Sequence, residues 1–182
     1  DNMRAAGIDP ADVDVVLNTH LHTDHVGWNT QLVDGAWVPT FPNARYLMPE
    51  ADYRFFAPDN PATTDEMRTV FEDSVIPVAD QTEQFSGDHQ LSESLWLRPA
   101  PGHTPGSSVI RIGDCLFTGD TLFRHECGRC DLEGGDFSAM LRSLKRLHDL
   151  DGDYKVFPGH EGISTLNEER AYNPYMLQAM GK

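Results

Sequence analysis

The tightest constraint in this chain is the passage from an apolar strand into a crowd of metal-binding side chains. Residues 13–19 (VDVVLNT) are rich in β-branched side chains and read as a short buried strand. The run leads directly into His20-Leu21-His22-Thr23-Asp24-His25, which sets three imidazoles and a carboxylate within six positions. Side chains alternate in extended chain, so His20 and His22 project to one side and both can reach one metal. Asp24 and His25 follow where the chain should turn into a helix, so their side chains diverge toward a second point. This is more imidazole than one ion needs, and it predicts two ions a few ångströms apart.

Three further candidates follow strand-like runs. His103 lies in Pro101-Gly102-His103-Thr104-Pro105-Gly106, Asp120 in Phe117-Thr118-Gly119-Asp120, and His160 in Phe157-Pro158-Gly159-His160. Each is preceded by a glycine that permits a tight turn, and loops at strand ends are the usual seat of active-site residues. His89, His125 and His148 read as ordinary structural histidines, in a polar turn, a polar loop and at a helix flank respectively. Cys127-Gly128-Arg129-Cys130 has no second close pair to complete a zinc site, so it reads as two reduced loop thiols.

The remaining pattern predicts strands over 45–48, 95–98, 108–112, 115–118 and 154–157, with Gly113-Asp114 as a two-residue hairpin turn. Helices are expected over 50–56, 63–74, 137–150 and 167–180, the last broken at Pro174. Asp136 stands where it can cap the helix over 137–150. Strands that come both as a hairpin and alternating with helices imply a mixed sheet, in one α/β (α+β) domain covering residues 1–182. The 14 Lys+Arg against 29 Asp+Glu leave a net charge of −15, which disfavours nucleic acid and anionic membranes as partners. No apolar run approaches the roughly 18 residues of a membrane span. Three cysteines make no paired framework, so a reducing, cytoplasmic compartment is expected. A small molecule is the expected partner.

Taken in order, His20-x-His22-x-Asp24-His25, His103, Asp120 and His160 resemble the ligand series of the metallo-β-lactamase-fold hydrolase superfamily. The resemblance implies an αββα sandwich with a dinuclear site at one edge of its two sheets. It implies that His20, His22 and His103 hold one metal, that Asp24, His25 and His160 hold the other, and that Asp120 bridges them. Two divalent ions are implied, zinc first, although iron and manganese also suit these donors. Asp24 and Asp120 become the candidates for orienting a metal-activated water and passing on its proton.

Residues 15–56, with His25-Val26-Gly27-Trp28-Asn29, are similar to lactonase-like and organophosphate-hydrolase-like members. Residues 119–175 are similar to glyoxalase II-like members through Gly119-Asp120-Thr121-Leu122-Phe123, Cys127-Gly128-Arg129, Pro158-Gly159-His160, Glu169 and Asn173-Pro174. Asp120 stands where the best-known β-lactamase subclass carries cysteine, which disfavours antibiotic hydrolysis. Arg129 matches a basic residue that contacts glutathione in glyoxalase II, but Asp131 replaces the tyrosine two positions on and opposes a glutathione carboxylate. Trp28 and Phe123 are candidates for an apolar substrate wall. The expected activity is hydrolysis of an ester, lactone or thioester; the alternatives are a phosphotriester or phosphodiester hydrolase and a mononuclear iron persulfide dioxygenase. Family members place several strands before the first histidine motif, whereas 19 residues precede His20 here. An exposed sheet edge is therefore expected, covered by a missing N-terminal segment or by a second copy of the chain.

Overall fold

The computed structural model describes residues 2–182, in two compact units that meet in sequence between Phe85 and Ser86. The first unit contains α1 (Asn2–Ala5), β1 (Val15–Leu17), α2 (Thr23–Val26), β2 (Thr30–Val33), β3 (Ala36–Pro39), β4 (Arg45–Pro49), α3 (Glu50–Phe55), α4 (Asp65–Ser74) and β5 (Thr82–Phe85). Among the described residues, β1, β4 and β5 form a parallel sheet in the order β1-β4-β5, and β2 and β3 form a separate hairpin. Tyr46, Leu47, Met48 and Pro49 of β4 are all buried, as expected of the middle strand of a parallel sheet. Tyr46 and Met48 pack with Leu21, Val26, Phe56, Phe71, Val75 and Val78 in the core of this unit. Thr64 caps α4 by accepting from the backbone N–H of Met67 at 3.2 Å.

The second unit contains β6 (His89–Gln90), β7 (Leu95–Pro99), β8 (Ser108–Ile112), β9 (Cys115–Gly119), α5 (Phe137–His148), β10 (Lys155–Pro158), β11 (Ser164–Thr165), α6 (Leu166–Tyr172) and α7 (Pro174–Ala179). Its strands form one mixed sheet, ordered β11-β10-β9-β8-β7-β6, in which only β9 and β10 are paired parallel. The apolar stripe of α5 supplies Met140, Leu144 and Leu147 to a core shared with Val109, Leu116, Val156, Leu166 and Met176. Asp136 caps α5, its carboxylate accepting from the Ala139 N–H at 2.9 Å.

Most expected elements are present, with instructive differences. The strand over 13–19 shortens to Val15–Leu17, and just past its end the Asn18 side chain pairs with Asn29 by two reciprocal amide bonds of 3.3 Å. The helical stretch over 167–180 breaks at Asn173, whose Oδ1 caps α7 by accepting from the N–H groups of Tyr175 and Met176 at 3.0 and 3.1 Å. The β2–β3 hairpin is an addition, turning on Asp34 and Gly35 at φ 51° and 82°, and so is the polar strand β5. Gly113 takes φ 59° in the expected hairpin turn between β8 and β9. Among the described residues, no helix is long and apolar enough to cross a membrane.

Candidate metal centre

In the first unit the backbone is tied down at several points where β1 ends. The Asn18 N–H donates to the Leu47 carbonyl at 3.1 Å, while its side-chain amide donates to the His25 carbonyl at 3.2 Å. The N–H of Leu21 donates at 3.1 Å to Oδ2 of Asp52, a carboxylate that is wholly buried. These bonds fix the backbone on which the histidines stand. The His20 and His22 rings lie 5.0 Å apart at nearly a right angle, and the His20 and His25 rings are 3.9 Å apart. As expected, residues 23–26 turn into a helix, with His22 at its N-terminal cap position. Oδ2 of Asp24 is 3.5 Å from Nε2 of His25.

In the second unit, sheet topology gathers the other candidates. β7 and β9 run antiparallel to β8, and β10 runs parallel to β9, so β7, β9 and β10 all end at the same edge. His103, Asp120 and His160 follow those three ends. Oδ2 of Asp120 lies 3.4 Å from Nε2 of His103 and 3.5 Å from Nε2 of His160. Nδ1 of His103 donates at 2.7 Å to the carbonyl of Arg129, which fixes the tautomer and turns Nε2 toward the carboxylate. Phe123 meets His160 edge to face, with ring centroids 5.6 Å apart.

Glycines make room for these side chains. Gly102 and Gly119, just before His103 and Asp120, take φ 152° and 48°, conformations costly for other residues. Gly159, before His160, is not among the glycines with positive φ. A Cβ on Gly128 would stand 2.0 Å from the carbonyl oxygen of Asp120, so the chain there passes against the carboxylate's own backbone.

The donor set suits divalent metal. Donors about 2.1 Å from a tetrahedral ion lie about 3.4 Å from one another. The His103–Asp120, His160–Asp120 and Asp24–His25 separations of 3.4, 3.5 and 3.5 Å match that edge length. Imidazole and carboxylate groups are thus positioned for a metal site.

The candidate substrate residues fare unevenly. Arg129 is bound to Asp131 by two parallel bonds of 2.9 Å, which hold the Asp131 carboxyl below its ordinary range. Trp28 is 63% exposed, and with Thr30, Gln31 and Thr40 it lines a recess of about 410 Å³ in the first unit. Cys115, Cys127 and Cys130 are free thiols; burial pushes Cys127 up to about 12 and Cys130 up to about 11. Asp52, Asn18 and Asn29 are structural contributors that the sequence pattern does not single out. Only the Asp52 position, acidic in the first turn of α3, carries any signal, and it points to a solvated helix end.

A protein-family model of the metallo-beta-lactamase superfamily matches residues 1–160. The chain belongs to the metallo-β-lactamase superfamily. An uncharacterized protein of Mycobacterium tuberculosis is 33% identical over 172 residues, covering 88% of this chain and 75% of that protein. Hydroxyacylglutathione hydrolase GloC of Haemophilus influenzae is 30% identical over 171 residues, covering 89% and 75%. The crystal structure of TTHA1623 in a di-iron-bound form superposes with a TM-score of 0.74 at 28% identity, covering 96% of this chain and 81% of that one. The superfamily's mixed α/β fold, with sheets and helices and no closed barrel, is therefore the fold of this chain.

Two outcomes follow. Gly128→Ala should displace Asp120 and weaken metal binding by about 10–100-fold, the usual cost of disturbing a ligand's support; unchanged affinity in a metal titration would contradict the cradle. Because Cys127 and Cys130 stay protonated well above an ordinary thiol, iodoacetamide at about pH 9 should leave both unmodified in the folded chain and label them as the pH nears 11 to 12. Rapid labelling of either at the lower pH would show that burial does not protect them.

Proposed function

We propose that this chain is a metal-dependent hydrolase of ester, lactone or thioester carbonyls. In this reading His20, His22, Asp24, His25, His103, Asp120 and His160 ligate two divalent ions. Superfamily membership supports the general class, since its members are generally metal-dependent hydrolases. The observation that carries the dinuclear reading is that one oxygen of Asp120 faces two imidazole nitrogens at metal-sharing distance, 3.4 and 3.5 Å. When bound, such ions lower the pKa of a coordinated water toward neutrality and polarise a substrate carbonyl. The donors suit zinc, iron and manganese alike, and the di-iron form of TTHA1623 supports testing iron beside zinc.

The chain's own residues would divide the work as follows. His103, held through Nδ1 by the Arg129 carbonyl, keeps one face of the Asp120 carboxylate fixed. Asp24, whose side chain is 57% exposed, is able to take a proton from a nucleophilic water and release it to a leaving group. Phe123 beside His160 offers an apolar edge to an acyl chain.

Substrate choice turns on Arg129. GloC is named for hydroxyacylglutathione, a substrate with carboxylates for a basic residue to hold. Here Asp131 already occupies the Arg129 guanidinium through both its oxygens. That pairing, with the net charge of −15, favours a neutral ester or lactone over a glutathione thioester. Metal-loaded protein should therefore show a higher kcat/KM for an acyl lactone than for a hydroxyacylglutathione, and Asp120→Ala should abolish both activities together with bound metal. A preference for the glutathione thioester would overturn the substrate assignment, and an active Asp120→Ala would overturn the bridging one.

A further inference from the structure

A second set of metal-type donors lies in the second unit, apart from the seven ligands proposed above. His125, Glu168 and Glu169 each present a ligand atom within 4.8 Å of the others. Nε2 of His125 lies 3.0 Å from Oε1 of Glu168, and the backbone N–H of His125 donates at 2.9 Å to Oε2 of Glu169. Oε2 of Glu169 also accepts from the Asn173 side-chain amide at 2.8 Å. Arg124 donates to Oε1 of Glu168 through Nε and approaches it through Nη2, both at 3.1 Å.

Glu169 is what makes this cluster unusual. It is wholly buried, and its second oxygen, Oε1, is enclosed without a hydrogen-bond partner. A buried carboxylate oxygen left without a partner is costly unless a cation compensates it. The neighbouring cation, Arg124, is spent on Glu168. His125 also holds φ at 60°, unusual for a residue other than glycine, and its backbone bond to Glu169 keeps it there. The His125 and Glu168 side chains remain 43% and 27% exposed, which gives an ion a route in and leaves water to complete its coordination.

We propose that His125, Glu168 and Glu169 hold a further divalent cation, distinct from the hydrolytic pair, which ties the turn bearing Phe123 to helix α6. The isolated pairing of Phe123 with Glu126 forms that turn, so a bound ion fixes the segment adjoining His160 without contacting substrate. One imidazole with two carboxylates suits zinc or another first-row transition ion and disfavours calcium or magnesium, which prefer oxygen donors throughout.

The test is zinc content of the full chain after loading and exhaustive dialysis, measured by elemental mass spectrometry. Wild type should carry one zinc more than His125→Gln and one more than Glu168→Gln, and both partly exposed positions should tolerate the change. The same difference of one ion should persist in an Asp120→Ala background, which removes the hydrolytic pair and so separates failure of this site from failure of that reading. Zinc should also raise the Tm of Asp120→Ala and leave that of Asp120→Ala/His125→Gln unmoved. Equal zinc content with and without His125, or loss of every ion together in both single variants, overturns the proposal.

Discussion

One oxygen of a buried carboxylate, held between two imidazole nitrogens, organises the second unit. Oδ2 of Asp120 stands 3.4 and 3.5 Å from His103 and His160, and the means of keeping it there run through the local structure. Gly119 turns at φ 48° to release the carboxylate from the end of β9, and Gly128 passes too close to its backbone to bear a side chain. Thr118 and Thr121 flank it and are satisfied internally, donating to the carbonyls of Leu122 and Ala100 at 2.7 and 3.0 Å. Neighbouring polar groups are thus paired within the protein, as burial demands. The mixed sheet supplies the rest, because β7, β9 and β10 all finish at one edge and their following loops carry Asp120 and both histidines.

Much of this arrangement is legible in the amino-acid sequence. The strand-then-histidine passage, the glycines before His103 and Asp120 and the cap at Asp136 are local signals, and local signals survive folding when the tertiary context agrees. What the sequence hides is of two kinds. β2 and β5 are only four residues each and neither alternates polar with apolar side chains, and Asp34-Gly35 is the one local sign of the β2–β3 turn. The other kind depends on distance along the chain. Asp52 bonds Leu21 from 31 residues away, and His125 meets Glu168 across 43. No spacing rule reaches so far, and an acidic residue in a helical first turn looks solvated until the fold buries it.

Arg129 sits at a basic position that resembles a glutathione contact, yet the bidentate bond from Asp131 changes what that cation offers to a ligand. The same loop carries Cys127 and Cys130, which packing against the apolar core keeps as neutral thiols rather than reactive thiolates. The same loop supports His103 through the Arg129 carbonyl.

The most direct test of the central claim is anomalous X-ray scattering from crystals of metal-loaded protein, collected across the metal's absorption edge. Two metal peaks should share Asp120 as a ligand, one of them bound by His103 and the other by His160. A single peak at Asp120, or density for neither ion there, would contradict it.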